Sequence, residues 1–201
     1  MVAGPSGYVR QPVMSEEHGR REDWLSDSLL SGFVATIAMS VALAGAYGLA
    51  NMLGDQTGNR VEQWLYALSH NEITDRANDS LVLAIGLNLI MGLVFALIYG
   101  LIEHRLPGRS GWQRGMIFSL IPFAISIVFF FPIMDAGILG ADLDAGPLPV
   151  IGNLILHLIY GAVLGSLYAV HVDAWLDGSR EDHLTALDMQ RDMTLGVLGG
   201  A

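Results

Sequence analysis

The sequence predicts an all-α, polytopic membrane protein: four transmembrane helices arranged as two hairpins of one repeated design, with a short helix lying at the outer interface. Three observations point there. Residues 29–53, 81–102, 115–134 and 150–170 contain no Asp, Glu, Lys or Arg, and each run is close to the ~20 residues that carry an α-helix across a bilayer's hydrocarbon core. Hydrophobic residues make up 52% of the chain and charged ones 15%, with no polar stretch long enough to fold as a separate soluble domain, so a single domain is expected. Finally, the second and fourth runs share a pattern of residues at a fixed offset.

Residues 1–28 read as a polar tail, residues 29–171 as the membrane domain and residues 172–201 as a second polar tail. A cleavable signal peptide would place a core of ~7–15 apolar residues near its start. Here 28 mostly polar residues precede a run of 25, so the first run is expected to be retained as a helix. Along it Gly32, Thr36, Ser40, Ala44 and Gly48 recur every fourth residue and share a face, with a second stripe at Ala38, Ala42, Ala46 and Ala50. Small faces let helix backbones approach closely, and in lipid that close packing drives association.

In the following loop Asn59 and Glu62 have the spacing of a capping box. Val61, Trp64, Leu65 and Leu68 then fall on one helical face. Two readings stand: an interfacial helix with Trp64 and Tyr66 at headgroup level, or a contact surface for a partner's extramembrane domain.

The second run carries Ala84, Asn88, Gly92, Ala96 and Gly100 at the same spacing, and the fourth carries Asn153, His157, Gly161, Gly165 and Ala169. Leu, Ile, Gly, Val and Tyr match between residues 88–99 and 157–168 without a gap, at an offset of 69. Gly32 onward agrees more loosely with Gly115 onward, the two stretches ending at Gly54 and Gly137. A hairpin repeated after an even number of crossings keeps its orientation, which makes this a parallel repeat. The expected helix-packing residues are Gly32, Thr36, Ser40, Asn88, Gly92, Ala96, Asn153, His157, Gly161 and Gly165.

The third run differs. Pro122 and Pro132 each remove a backbone donor and favour a kink. Gly115, Ser119, Pro122 and Ser126 share a face, so Ser119 is expected to bond a carbonyl freed near Pro122. Phe118, Phe129, Phe130 and Phe131 offer bulk to lipid or to a partner. Residues 135–149 form a Gly/Asp/Pro-rich loop. Its Asp135, Asp142 and Asp144 do not have the spacing of a Ca²⁺ loop, and a solvated acidic loop without metal is expected.

Arginine placement orients the chain. Arg10, Arg20, Arg21, Arg105, Arg109, Arg114, Arg180 and Arg191 flank one side of the membrane, against Arg60 and Arg76 on the other. Both termini and the middle loop are therefore expected in the cytoplasm.

Several classes are disfavoured. The chain has no cysteine, which removes disulfides, thiolate metal sites and iron–sulfur ligation. A net charge of −10 argues against nucleic acid. Pumps and coupled transporters usually carry ionisable groups at membrane depth, and here, tyrosine aside, only His157 lies well inside a run. No nucleophile–base pair, glycine-rich phosphate loop or HExxH occurs, so no enzymatic activity is expected.

His157 has two readings. Structurally, it bonds across to Asn88, Thr36, Ser40 or a tyrosine hydroxyl. Functionally, it serves a quinone or a b-type haem. His171, fourteen residues on, lies about 21 Å away along a helix, and His104 is placed to pair with His171. No cofactor is expected, bound lipids are, and those three histidines are what a haem or quinone would use. His70 and His183 sit in polar segments.

The stretch His157-Leu-Ile-Tyr-Gly-Ala-Val-Leu-Gly-Ser-Leu-Tyr168 resembles the last helix of small four-span prokaryotic membrane proteins of unknown function, including the YagU-like inner membrane proteins. The resemblance covers residues 29–171 and implies a four-helix bundle in a prokaryotic cytoplasmic membrane, with no active site to transfer. The expected function is a non-catalytic accessory subunit of a larger membrane complex, foremost a respiratory or photosynthetic electron-transfer complex. Its partners would be other integral subunits and lipids. A small transporter or channel is the alternative, and a haem- or quinone-binding redox subunit the second.

Overall fold

The structure, a computed structural model, describes residues 14–54 and 58–170, with side chains from Trp24 onward except at 72 and 76–78. Every element among the described residues is helical. Helix α1 is Met14–Leu53, α2 is Arg60–Ser69, α3 is Glu72–Asp79 and α4 is Leu81–Ile102. Helices α5, Gly111–Ile133, and α6, Leu148–Val170, complete the set. Four segments are long and apolar enough to cross a membrane: Trp24–Leu53, Leu81–Arg105, Gly111–Ile133 and Leu148–Val170. The protein is an all-α, multi-pass membrane protein.

The boundaries differ from the apolar runs most at the starts of α1 and α5. The expected tail 1–28 is helical from Met14 onward, because a helix ends where its backbone bonds end and not where its side chains become polar. Helix α5 begins at Gly111, four residues before the apolar run. Arg114 is accommodated in its first turn by an ion pair with Glu103 and by Nε–H donation to the Gly108 carbonyl at 3.2 Å. The segment 172–201 and His171 lie outside the described residues.

The prolines of α5 act as a pair. Pro122 has no N–H to donate to the Phe118 carbonyl, and four residues on the helix widens into a π turn at Ser126–Phe130, followed by a last α-helical turn at Phe131–Ile133 that contains Pro132. Ser119 does not fill the gap. Its hydroxyl donates to the Met116 carbonyl at 2.8 Å, the three-back geometry that a helical serine reaches without leaving its rotamer.

The capping box of α2 is complete. The Asn59 side chain accepts from the Val61 and Glu62 amides at 3.0 and 3.1 Å, while Glu62 accepts from the Asn59 amide at 3.0 Å. Helix α2 packs on the end of α1 at Gly54, and its Trp64 indole covers Gly146 in the loop after α5. Gly146 has φ +55°, a conformation that glycine adopts without strain. Trp64 therefore links the two hairpins across this end, and Val61 stays 53% exposed. Helix α3 was not foreseen. Asn71 immediately precedes it, and its side chain accepts from the Thr74 amide at 3.1 Å.

Burial is uneven along the membrane normal. The buried residues of α1, α4, α5 and α6 lie in the half that carries Trp24, Tyr99 and Arg114, from His157 onward on α6, apart from Ala50 and Pro149. A second buried layer, Ala50, Ser69, Ala136, Gly140, Ala145 and Pro149, sits under the α2 cap. Between them no residue of 41–49, 81–91, 123–133 or 150–156 is buried. The helices are tightly packed at the Arg114 end and part toward the Trp64 end.

Candidate functional site

The tight half is made of two seams with the same contacts. In the first, a Cβ on Gly92 would strike the Thr36 hydroxyl, one on Gly32 would strike Ala96, and one on Gly100 would strike Ser28. In the second, Gly161 abuts Gly115 and Ser119, Gly165 abuts Gly111 and Gly115, and Gly111 also meets Ala169. Adding 83 to α1 positions and 69 to α4 positions converts one set into the other. Thr36–Gly92 becomes Ser119–Gly161, Gly32–Ala96 becomes Gly115–Gly165, and Ser28–Gly100 becomes Gly111–Ala169. The repeat read from the sequence is a repeat of contacts.

The equivalence continues one turn further. The Asn88 amide donates to Ser40 Oγ at 3.0 Å, and at the matching place the His157 ring meets Phe123 edge-on with centroids 6.1 Å apart. Farther along α1, nothing approaches within 4 Å of where a Gly45 or Gly48 Cβ would stand.

Tyr99 and Tyr168 are equivalent under the same offset, and they touch, with ring centroids 5.5 Å apart and planes at 83°. Their contact joins one hairpin to the other at the matched position. Phe118 closes against Tyr99 at 5.3 Å, and the Glu103–Arg114 pair lies beyond it toward the membrane surface. The Tyr99 hydroxyl is buried without a partner among the described residues. Higher up, the Tyr160 hydroxyl donates to the Gly92 carbonyl at 2.6 Å and ties the second hairpin to the first. The tyrosine match was visible at offset 69, but the contact between the two rings was not, because a sequence offset says nothing about which side of a helix meets its own copy.

His157 is 8% exposed, and its bonding differs from the cross-helix expectation. Nδ1 lies 2.8 Å from the Asn153 carbonyl of its own helix. A carbonyl only accepts, so Nδ1 carries the proton and Nε2 presents a lone pair. Cross-helix bonding falls instead to Asn88 and to Asn153, whose amide donates to Ser126 Oγ at 3.0 Å. Ser40 and Thr36 turn back onto their own helix, donating to the Thr36 and Gly32 carbonyls at 2.8 and 2.7 Å.

Among the described residues His104 and His157 stand apart, while the expected His104–His171 pair falls on His171, outside them. His104 is exposed on the turn after α4, five residues beyond Tyr99, whereas His157 precedes Tyr168 by eleven residues. That places about 16 Å of helix between His157 and the tyrosine level alone, too far for the two rings to share a haem. No group of three His, Asp or Glu side chains is disposed to hold a metal among the described residues. Asp135, Asp142 and Asp144 are all exposed.

A family model, described as a family of unknown function (DUF6789), matches residues 24–174, a stretch that contains all four spans. No curated protein and no solved structure matches the chain.

Proposed function

The chain belongs to the DUF6789 family, and we propose that it is a non-catalytic accessory subunit of a larger membrane complex, with a respiratory or photosynthetic electron-transfer complex as host. The observation behind this reading is the bare part of α1. Residues 43–49, Leu-Ala-Gly-Ala-Tyr-Gly-Leu, are all exposed, and seven consecutive residues make about two turns and so face every direction. Gly45 and Gly48 have open space where a Cβ would stand. Small residues of this kind are consumed in helix–helix seams wherever the chain packs on itself, and close backbone approach is what holds helices together in lipid. A partner's transmembrane helix would do for the Trp64 end of α1 what α4 does for the other end.

The spans hold no carboxylate or arginine at mid-depth to relay protons or bind ions, which favours a packing role over transport. The small-transporter reading draws on one feature, a two-fold repeat closed at one end and parted at the other. Flux assays on the purified protein in vesicles separate the two.

The proposed setting is a prokaryotic cytoplasmic membrane with both termini and the Arg114 end in the cytoplasm. Arg105, Arg109 and Arg114 cluster at the end of the bundle opposite the α2 cap, which supports this orientation under the positive-inside rule.

Affinity purification of the tagged full chain from its native membranes tests the proposal. The expected result is a stoichiometric integral-membrane partner that survives mild detergent. A chain that purifies alone, in the same yield after membrane cross-linking, would refute it.

A further inference from the structure

His157 is the last buried side chain of α6 before the helices part, since no residue of 150–156 is buried, nor any of 123–133 on the neighbouring α5. Its ring is held from two sides, by the Asn153 carbonyl on Nδ1 and by the Phe123 edge. Nε2 has no partner among the described residues and is not one of their fully buried polar atoms, so it stays open at the edge of a side chain that is otherwise more than nine-tenths buried. An imidazole pinned through one nitrogen to a carbonyl has its other nitrogen fixed as an acceptor. Pinning of this kind aims a lone pair.

We infer that His157 anchors a mid-membrane site for an apolar molecule bearing a free hydroxyl, and that the reduced, quinol form of a bilayer quinone is the constituent that fits.

Depth selects the ligand class. His157 is nine residues from Leu148 and thirteen from Val170, which puts it about 14 Å and 20 Å from the two ends of the helix. A hydrocarbon core is ~30 Å thick, so phospholipid headgroups stay at its surfaces, far from this ring. The occupant must therefore be carried within the hydrocarbon and still own a polar group.

Proton placement selects the redox form. With Nδ1–H committed to Asn153, Nε2 accepts and does not donate, so it pairs with a hydroxyl and not with a quinone carbonyl. The parted half of the helices offers entry from lipid, and Phe123 supplies an aromatic wall. Binding alone is inferred, with no electron transfer assigned, and it requires no partner chain.

The test uses the full chain in lipid nanodiscs with a diazirine-bearing long-chain alcohol as photoprobe. A diazirine-bearing phosphatidylcholine serves as the bulk-lipid reference. Decylubiquinol and decylubiquinone, held anaerobically, are the competitors. Labelling by the alcohol is expected near residues 123–127 and 153–157, displaced by the quinol at about ten-fold lower concentration than by the quinone.

His157→Asn keeps an amide nitrogen where Nδ1 stands and deletes Nε2, and Asn88 shows that the matching position tolerates it. This variant should retain its Tm and lose about ten-fold in quinol competition, a loss of one hydrogen bond. His157→Gln restores a polar atom at the Nε2 position and should recover part of it. Labelling that follows the phosphatidylcholine pattern, competes equally with quinol and quinone, or ignores His157→Asn would overturn the inference. If His157→Asn loses Tm, the competition ratio on the unmodified chain decides alone.

Discussion

At the scale of single residues, glycine is where this protein is least replaceable, and only at some of its positions. A Cβ on Gly161 would run into the Gly115 carbonyl, and one on Gly92 into Thr36. The first obstacle is backbone and cannot swing aside. Gly161→Leu should therefore lower the detergent Tm by an amount reflecting about 1–3 kcal/mol or more of overpacking. Gly92→Leu should cost somewhat less, because a threonine side chain yields more readily than a carbonyl. Gly152→Leu and Gly45→Leu meet nothing within 4 Å and should leave Tm within about 1 °C of the parent. Equal losses at all four sites, read by thermal unfolding in one detergent, would show that the seams are not what holds the bundle. Asn88→Leu removes a cross-helix bond of a kind that averages about 0.6 kcal/mol in membranes, so its effect should be small beside that of Gly161→Leu.

At the scale of elements, legibility followed how local the cause was. The start of α2 was readable because Asn59 and Glu62 satisfy each other's backbone within four residues. Asn59→Ala should lose about 1 kcal/mol of local helix stability, seen as faster amide exchange at Val61 and Glu62 with the spans unchanged. Unchanged exchange would contradict the cap. Helix α3 escaped notice because Glu-Ile-Thr-Asp-Arg-Ala-Asn-Asp lacks apolar periodicity, leaving Asn71 as its only signal. The π turn after Pro122 was half readable. Proline dictates that a backbone bond is lost, but where the ladder widens to recover depends on the packing of α6 against Ser119 and Ser126. Ser119 was misassigned for a related reason, because shared-face reasoning fixes a side chain's direction and not which carbonyl it reaches.

At the scale of the whole molecule, small-residue stripes revealed that spans pack but not how far along the membrane they do so. Stripe residues run on along α1 past Ser40, yet residues 43–49 are all exposed and burial resumes only at Ala50. The contact between Tyr99 and Tyr168 was equally hidden, although both tyrosines were in the repeat. Orientation can be checked cleanly in a chain without cysteine. In intact cells an impermeant maleimide should label Asp142→Cys and not Arg109→Cys, and the opposite pattern would invert the topology.

The central claim is that residues 43–49 are bare because another protein's helix belongs there. A photo-cross-linking amino acid at Gly45 or Gly48 in native membranes addresses it directly, with Val82, which is 87% exposed on α4, as the lipid-facing reference. The account predicts a discrete cross-linked product with one integral membrane protein from positions 45 and 48, and none from 82. Adducts with lipid alone at all three positions would contradict it.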